Sequence, residues 1–193
     1  MNYIVFDIET SNIFQDVGKN DPTLLDLSVV CIYNSHTDSY ESFFEENLET
    51  LWPLLEETDA LVGYNSNHFD IPLLNKYYEG SLFSFKSIDL MKTIQESLGR
   101  RIGLDAVASA TLGTAKSANG LQAVEWWRQG EKQKVVDYCI QDVKVTKDLF
   151  DHMKEHQNIK YKDKVTGEIL TVSVDVSEWD SKEETPITPT LQF

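Results

Sequence analysis

Four acids and one phenol stand where this sequence could do chemistry. Asp7 and Glu9 fall in Ile4-Val5-Phe6-Asp7-Ile8-Glu9-Thr10, an otherwise apolar stretch near the start of the chain. On a strand, side chains alternate between faces, so both carboxylates point one way, roughly 6–7 Å apart along the backbone. Ile4, Phe6 and Ile8 point the other way. Asp70 follows a second apolar stretch and opens a helical pattern. Tyr138 and Asp142 are four residues apart in a long amphipathic run, which sets them one turn apart on one helix face. Val135, Cys139 and Val143 flank them, so that face is not simply the wet one. A buried carboxylate is costly unless it is paired or binds a cation. The first stretch alone also reads as a strand that ends in two solvated acids, and what decides between the readings is how the rest of the chain is organised.

The elements that would carry these groups are legible in outline. Leu27 to Tyr33 and Ser39 to Phe44 read as strands around the turn composition Asn34-Ser35-His36-Thr37-Asp38. With the first strand they predict a three-strand antiparallel meander. Asn47 is a candidate N-cap for a helix through Leu55. Ala60 to Tyr64 predicts a fourth strand, Phe69 to Tyr78 a helix closed by Gly80, and Phe85 to Ile88 a fifth strand leading into Asp89. Helices follow over Leu90–Leu98, Leu104–Leu112, Asn119–Gln129 and Glu131–His156, each of the first three stopped by a glycine. Ile159 to Tyr161 and Ile169 to Val176 flank Thr166-Gly167 and predict a C-terminal hairpin. A meander followed by alternating helix and strand is an α/β domain with a mixed sheet flanked by helices. The expected division is a domain over residues 1–156, a hairpin extension over 157–178 and a flexible tail over 179–193.

Composition narrows the partners. The 193 residues suit one domain, and 41% hydrophobic with 25% charged residues is an ordinary globular balance. No apolar run reaches the length of a membrane span. The chain enters a strand directly with no leader pattern, so a cytoplasmic protein is expected. Cys31 and Cys139 are in no metal-type spacing and are expected to be reduced and packed. The net charge is −15, and residues 1–60 hold 13 acids against one base. Such a chain gains little from bulk attraction to phosphate. Acting on nucleic acid would require bound cations, a local basic patch, or a protein partner that holds the substrate.

Three segments carry a family resemblance. FDIET at 6–10, GYNSNHFD at 63–70 and YCIQDV at 138–143 resemble, in order, the three motifs of the DEDD superfamily of 3′→5′ exonucleases, which have the ribonuclease-H-like fold. The second motif departs slightly, with Asn65, Phe69 and Asp70 spaced Asn-x-x-x-Phe-Asp rather than Asn-x-x-Phe/Tyr-Asp. Tyr138 marks the tyrosine branch; the histidine branch would place His where Asp137 stands. The second motif, Leu104 to Lys116, and the Trp126-Trp127 helix are similar to the exonuclease domains of family B DNA polymerases. The resemblance spans about residues 1–155 and implies a stand-alone exonuclease or a subunit. It implies a nuclease acting on the 3′ end of single-stranded nucleic acid, DNA slightly favoured over RNA, and releasing nucleoside monophosphates. It implies two divalent cations, Mg²⁺ or Mn²⁺, with Asp7 bridging both, Glu9 and Asp142 on one, and Asp70 reaching the other. Hard cations of this kind take oxygen ligands, and two of them about 3.5–4 Å apart stabilise both oxygens of an in-line displacement at phosphorus. Tyr138 would orient, or help deprotonate, the attacking water, orientation being the safer role for a phenol with a reference pKa of about 10 unless the metals lower it. Thr10, Asn65, Phe69 and Lys116 are the candidate substrate contacts, with Arg100, Arg101 and Arg128 as further bases.

Plainer readings stand beside these. Phe69 and at least one of Trp126 and Trp127 suit the core. Asp89 suits a helix N-cap before Leu90. His152 and His156, one helical turn apart, suit a solvated helix end. The alternatives for the whole chain are a non-catalytic nucleic-acid or protein-binding module on the same fold, an RNA-directed nuclease, and an acidic metal-binding protein.

Overall fold

The computed structural model describes residues 1–114 and 120–181. Its centre is β1 (Tyr3–Thr10), whose alternation splits the interior: Ile4, Phe6 and Ile8 enter one buried cluster and Val5 the other. β1 pairs antiparallel with β2 (Leu27–Asn34), and β2 pairs antiparallel with β3 (Ser39–Phe43), closing the expected meander. On its other side β1 pairs in parallel with β4 (Ala60–Gly63), and β4 in parallel with β5 (Ser87–Asp89). The sheet order is β3-β2-β1-β4-β5, a mixed sheet with helices on both faces. One face packs under α4 (Leu90–Leu98), α5 (Leu104–Leu112), α6 (Gly120–Arg128) and α7 (Lys132–His156). The short helices α1 (Phe14–Val17), α2 (Trp52–Glu56) and α3 (Asp70–Leu74) pack on the other. Among the described residues, no helix is long and apolar enough to cross a membrane.

The register explains how acids come to lie inside. Pairing between β1 and β4 stops at Val5 opposite Val62, so Asp7 to Thr10 run past the end of β4. On the β2 side pairing continues to Thr10 opposite Leu27, with a bulge after Glu9. The acidic end of β1 is thus sheeted on one edge and open on the other.

Several boundaries differ from expectation, each for a tertiary reason. Asn47 does not cap a helix; its side chain accepts the Phe44 N–H at 2.7 Å from inside a 3₁₀ turn over Glu45–Thr50. The helix expected to reach Tyr78 ends at Leu74. Beyond it Asn75 accepts the Leu82 N–H at 2.8 Å and the Tyr77 hydroxyl accepts the Leu27 N–H at 3.2 Å, contacts that pull the chain off the helical path. The fifth strand is Ser87–Asp89, because Leu82–Ser84 form a 3₁₀ turn that delays it. Lys116 and residues 182–193, most of the expected tail, lie outside the described residues.

Gly63 is required by proximity. A Cβ there would fall 2.5 Å from the Ser66 Cβ, so β4 and the turn after it pack this closely only around a glycine.

The C-terminal hairpin forms from β6 (Asn158–Lys162) and β7 (Ile169–Ser173). Ile159, Tyr161, Val174 and Trp179 sit in the same cluster as Val5 and Cys139. Trp179, placed in the mobile tail on sequence grounds, is only 6% exposed and stacks on Phe150 with ring centroids 5.0 Å apart. Lys86 ties this segment down by donating to the Glu178 carbonyl at 3.2 Å. Trp179→Ala should therefore destabilise the fold by about 3 kcal/mol, read as a lower urea midpoint with an unchanged slope.

Candidate active site

Three elements deliver the acids to one place. β1 presents Asp7 and Glu9, and α7 lies across that face with Tyr138, Cys139 and Asp142. One carboxylate oxygen each from Asp7, Glu9 and Asp142 lie within 4.8 Å of one another. Asp70 arrives from the other side, at the first position of the helix after β4. Its Oδ1 accepts the Ile8 N–H at 3.2 Å, one of the donors that β1 leaves free by outrunning β4. Tyr138 stands beside Asp142, with the Trp126 ring edge-on at 6.3 Å.

The electrostatics are those of a site short of positive charge. Burial is the first cause that pushes the Asp7 carboxyl well above the usual range, followed by Asp70, Glu9 and Asp142. Burial and then Asp142 and Asp70 do the same to Glu9, which is 7% exposed. Asp70 is pushed up to about 7, mainly by burial, against the opposing pull of its own and the Ile8 N–H groups. Burial, then Asp142 and Glu9, also raises the Tyr138 phenol. Among the described residues, no lysine or arginine is a cause at these carboxyls. An all-oxygen donor set with no thiolate or imidazole suits a hard divalent cation, and Asp7, Glu9 and Asp142 could hold one.

Asp7, Glu9 and Asp70 line a cleft of about 660 Å³. Its walls are the Asn12–Gln15 segment on one side and Gly120, Leu121 and Val124 of α6 on the other. Arg128 at the end of α6 pairs with Asp16 at 2.6 Å, tying the two walls together. Thr10, Asn65 and Phe69 all line this cleft. Thr10 donates its hydroxyl to the Asn12 carbonyl at 2.8 Å. Asn65 has φ +62°, a left-handed conformation that asparagine tolerates better than most residues, so its identity has a backbone reason. Phe69 is partly buried and meets Phe14 edge-on at 6.1 Å. The other bases are engaged elsewhere: Arg100 lies over the Tyr161 ring at 5.0 Å, and Arg101 donates to Gln95 at 3.4 Å. His152 and His156 stack edge-on at 4.5 Å, and among the described residues no third ligand joins them. Trp126 and Trp127 are half-buried against the core, with Lys132 4.8 Å from the Trp127 ring.

Residues 4–154 match the family model of the RNase H superfamily. The chain belongs to the RNase H superfamily. Its fold is also similar to that of a family B DNA polymerase from the hyperthermophilic archaeon Pyrobaculum calidifontis, with a TM-score of 0.61 and 22% identity. The likeness covers 80% of this chain and 24% of the polymerase, so the chain spans about a quarter of that enzyme. No curated protein matches the chain. As a member of the RNase H superfamily with a cation-ready acidic cluster, the chain has the frame of a nuclease.

Two contacts of this RNase H superfamily member lay beyond sequence reasoning. Cys139 turns away from solvent and donates its thiol to Asp7, 3.4 Å from the backbone carbonyl and 3.5 Å from Oδ2. Cys31 is the cross-strand partner of Asp7, so both cysteines, read as plain packing, back the same carboxylate. The helical spacing of Tyr138, Cys139 and Asp142 was the only available signal. Asp89 caps α4 as expected, accepting from Met91 and Lys92 at 3.0 and 3.3 Å. It also accepts from Asn65 and Asn67.

Proposed function

We propose that the chain is a metal-dependent 3′→5′ exonuclease of the DEDD tyrosine branch, hydrolysing single-stranded nucleic acid to nucleoside monophosphates. The observation that carries this reading is the grouping of Asp142 with Asp7 and Glu9, with Tyr138 beside them, where Asp7, Glu9 and Asp70 line one open cleft. In this reading Asp7, Glu9 and Asp142 would hold one divalent cation, Mg²⁺ or Mn²⁺, and Asp70 would help to hold a second. Bound cations supply positive charge at the scissile phosphate and make an attacking water more acidic. Without cations, burial and three neighbouring acids hold the Tyr138 phenol above its ordinary range, which favours its keeping the proton. It therefore orients the water by a hydrogen bond rather than deprotonating it. Thr10, Asn65 and Phe69 line the space where the terminal nucleotide would lie, and the apolar wall of Ile13, Phe14 and Leu121 suits the face of a base. Lys116 is the candidate phosphate contact. With Arg128 paired to Asp16 and a net charge of −15, the chain grips a backbone weakly by itself. A partner that holds the strand fits this shortfall. DNA is slightly favoured over RNA by the likeness to a DNA polymerase.

The test is digestion of 5′-labelled single-stranded DNA and RNA of one sequence, with Mg²⁺, Mn²⁺ or EDTA, beside Asp7→Ala. The expected result is a ladder shortening from the 3′ end that vanishes in EDTA and in the variant. Uncut strands with either metal, in the presence of measurable Mn²⁺ binding, would leave a metal-binding module instead.

A further inference from the structure

We infer that Asp89 is a positioning residue for Asp70, fixing the turn that carries it; the inference rests on the proposed metal-dependent site. Asp89 ends the edge strand β5, opposite Gly63 at the end of β4, and is 6% exposed. Its carboxylate accepts four backbone N–H groups. Two belong to α4, Met91 at 3.0 Å and Lys92 at 3.3 Å, both on Oδ1. The other two belong to the turn after β4: Asn65 on Oδ1 at 2.8 Å and Asn67 on Oδ2 at 3.1 Å. A helix cap needs only the first pair.

The second pair reaches Asp70 through a short chain of backbone bonds. The Asn65 carbonyl accepts the His68 and Phe69 N–H groups at 3.2 and 3.1 Å, and the Ser66 carbonyl accepts the Ile71 N–H at 2.9 Å. Asn65 holds φ +62°, a conformation with a steric cost that its surroundings must sustain. Asp89 holds that residue by its own N–H and the next turn residue but one by the other oxygen. A carboxylate spanning both N–H groups therefore fixes where the first turn of the Asp70 helix begins. Asp70 must reach from there to the Ile8 N–H and to the acids on β1 and α7.

The two jobs of Asp89 separate chemically. Serine is about as good an N-cap as aspartate. Asp89→Ser should keep the α4 cap while being too short to hold Asn65 and Asn67. Asn67 is exposed and Asn65 half-exposed, so water can take up the freed N–H groups and the stability cost is small. What is lost is position. Partners that orient metal ligands typically affect metal affinity or activity by about 10–100-fold.

The experiment titrates Mn²⁺ into the intact parent, Asp89→Ser and Asp89→Asn, followed by electron paramagnetic resonance, with melting curves and single-strand hydrolysis alongside. Asp89→Ser is expected to melt within a few degrees of the parent, to bind Mn²⁺ at least tenfold more weakly at one site, and to lose kcat with KM nearly unchanged. Asp89→Asn keeps Oδ1 but turns an amide toward the Asn67 N–H, and should fall between. Parent-like Mn²⁺ affinity and kcat in folded Asp89→Ser would overturn the inference. If that variant does not fold, the same result in Asp89→Asn overturns it. A parent that binds Mn²⁺ but cuts no strand removes the nuclease reading while the Mn²⁺ comparison still decides the role of Asp89.

Discussion

The Asp7→Asn variant is expected to lose hydrolytic activity about a thousandfold while melting at a higher temperature than the parent in EDTA at pH 8. The two effects have one cause. Asp7 is the residue on which the cluster converges: Glu9 and Asp142 each bring an oxygen within 4.8 Å of it, and Asp70 is the first of its charged neighbours. Cation-mediated stabilisation of charge at a phosphoryl centre is worth several kcal/mol, and each 1.36 kcal/mol is tenfold in rate, which sets the thousandfold scale. In the absence of cations the same carboxylate is a burden, because burial and three acids oppose its ionisation. An amide of the same shape removes that burden and relieves Glu9 and Asp70. Activity is measured on 5′-labelled single strands with Mn²⁺, and stability by differential scanning fluorimetry in EDTA. A variant that loses activity but also melts lower would mean that Asp7 supports the fold rather than the site.

The parts of this arrangement that depend on local period were legible in the sequence. Asp7 and Glu9 share a face because strand side chains alternate, and Tyr138 and Asp142 share one because four residues make a turn. Gly99 and Gly113 stop their helices in the left-handed conformation, as glycines there should. The parts set by register and long-range contact were not legible. That Asp70 binds the Ile8 N–H follows from β4 ending before β1 does, which no periodicity announces. The early end of the Asp70 helix follows from Asn75 and Tyr77 bonding to Leu82 and Leu27, each remote in sequence or outside any local pattern. Asn65 illustrates a different gap: its side-chain type suggested a substrate contact, while its backbone supplies an independent reason for asparagine. Trp179 borders a polar, proline-containing end, and it is its burial in the core cluster and its stack on Phe150 that show where it belongs.

The metal-free protein should become less stable as pH rises from 5 to 8, and divalent cations should remove most of that slope. The sign is opposite to that of an ion-paired carboxylate. In the unfolded chain these carboxyls titrate near 4. In the folded chain Asp70 is pushed up to about 7 by burial, and Asp7 and Glu9 are pushed well above their usual range. Below about pH 4 both states hold their protons and the groups contribute nothing. Between that point and the folded values, the unfolded chain has released protons that the folded chain retains, so rising pH favours unfolding. For Asp70 alone the loss between pH 5 and 8 is roughly 3 kcal/mol. In a chain of this size that corresponds to a fall of about 10 °C in Tm. Asp21, Asp163, Asp175 and Asp180 have lowered values and the opposite sign, but they finish titrating below this window. A cation binds the ionised folded site and not the unfolded chain, so its stabilisation grows with pH as the protons leave. Melting temperatures in EDTA and in Mn²⁺ at pH 5, 6, 7 and 8 would test both halves. A flat or rising curve in EDTA would show that the acids are relieved by something other than protons, and a Mn²⁺ shift no larger at pH 8 than at pH 5 would place the ion away from them.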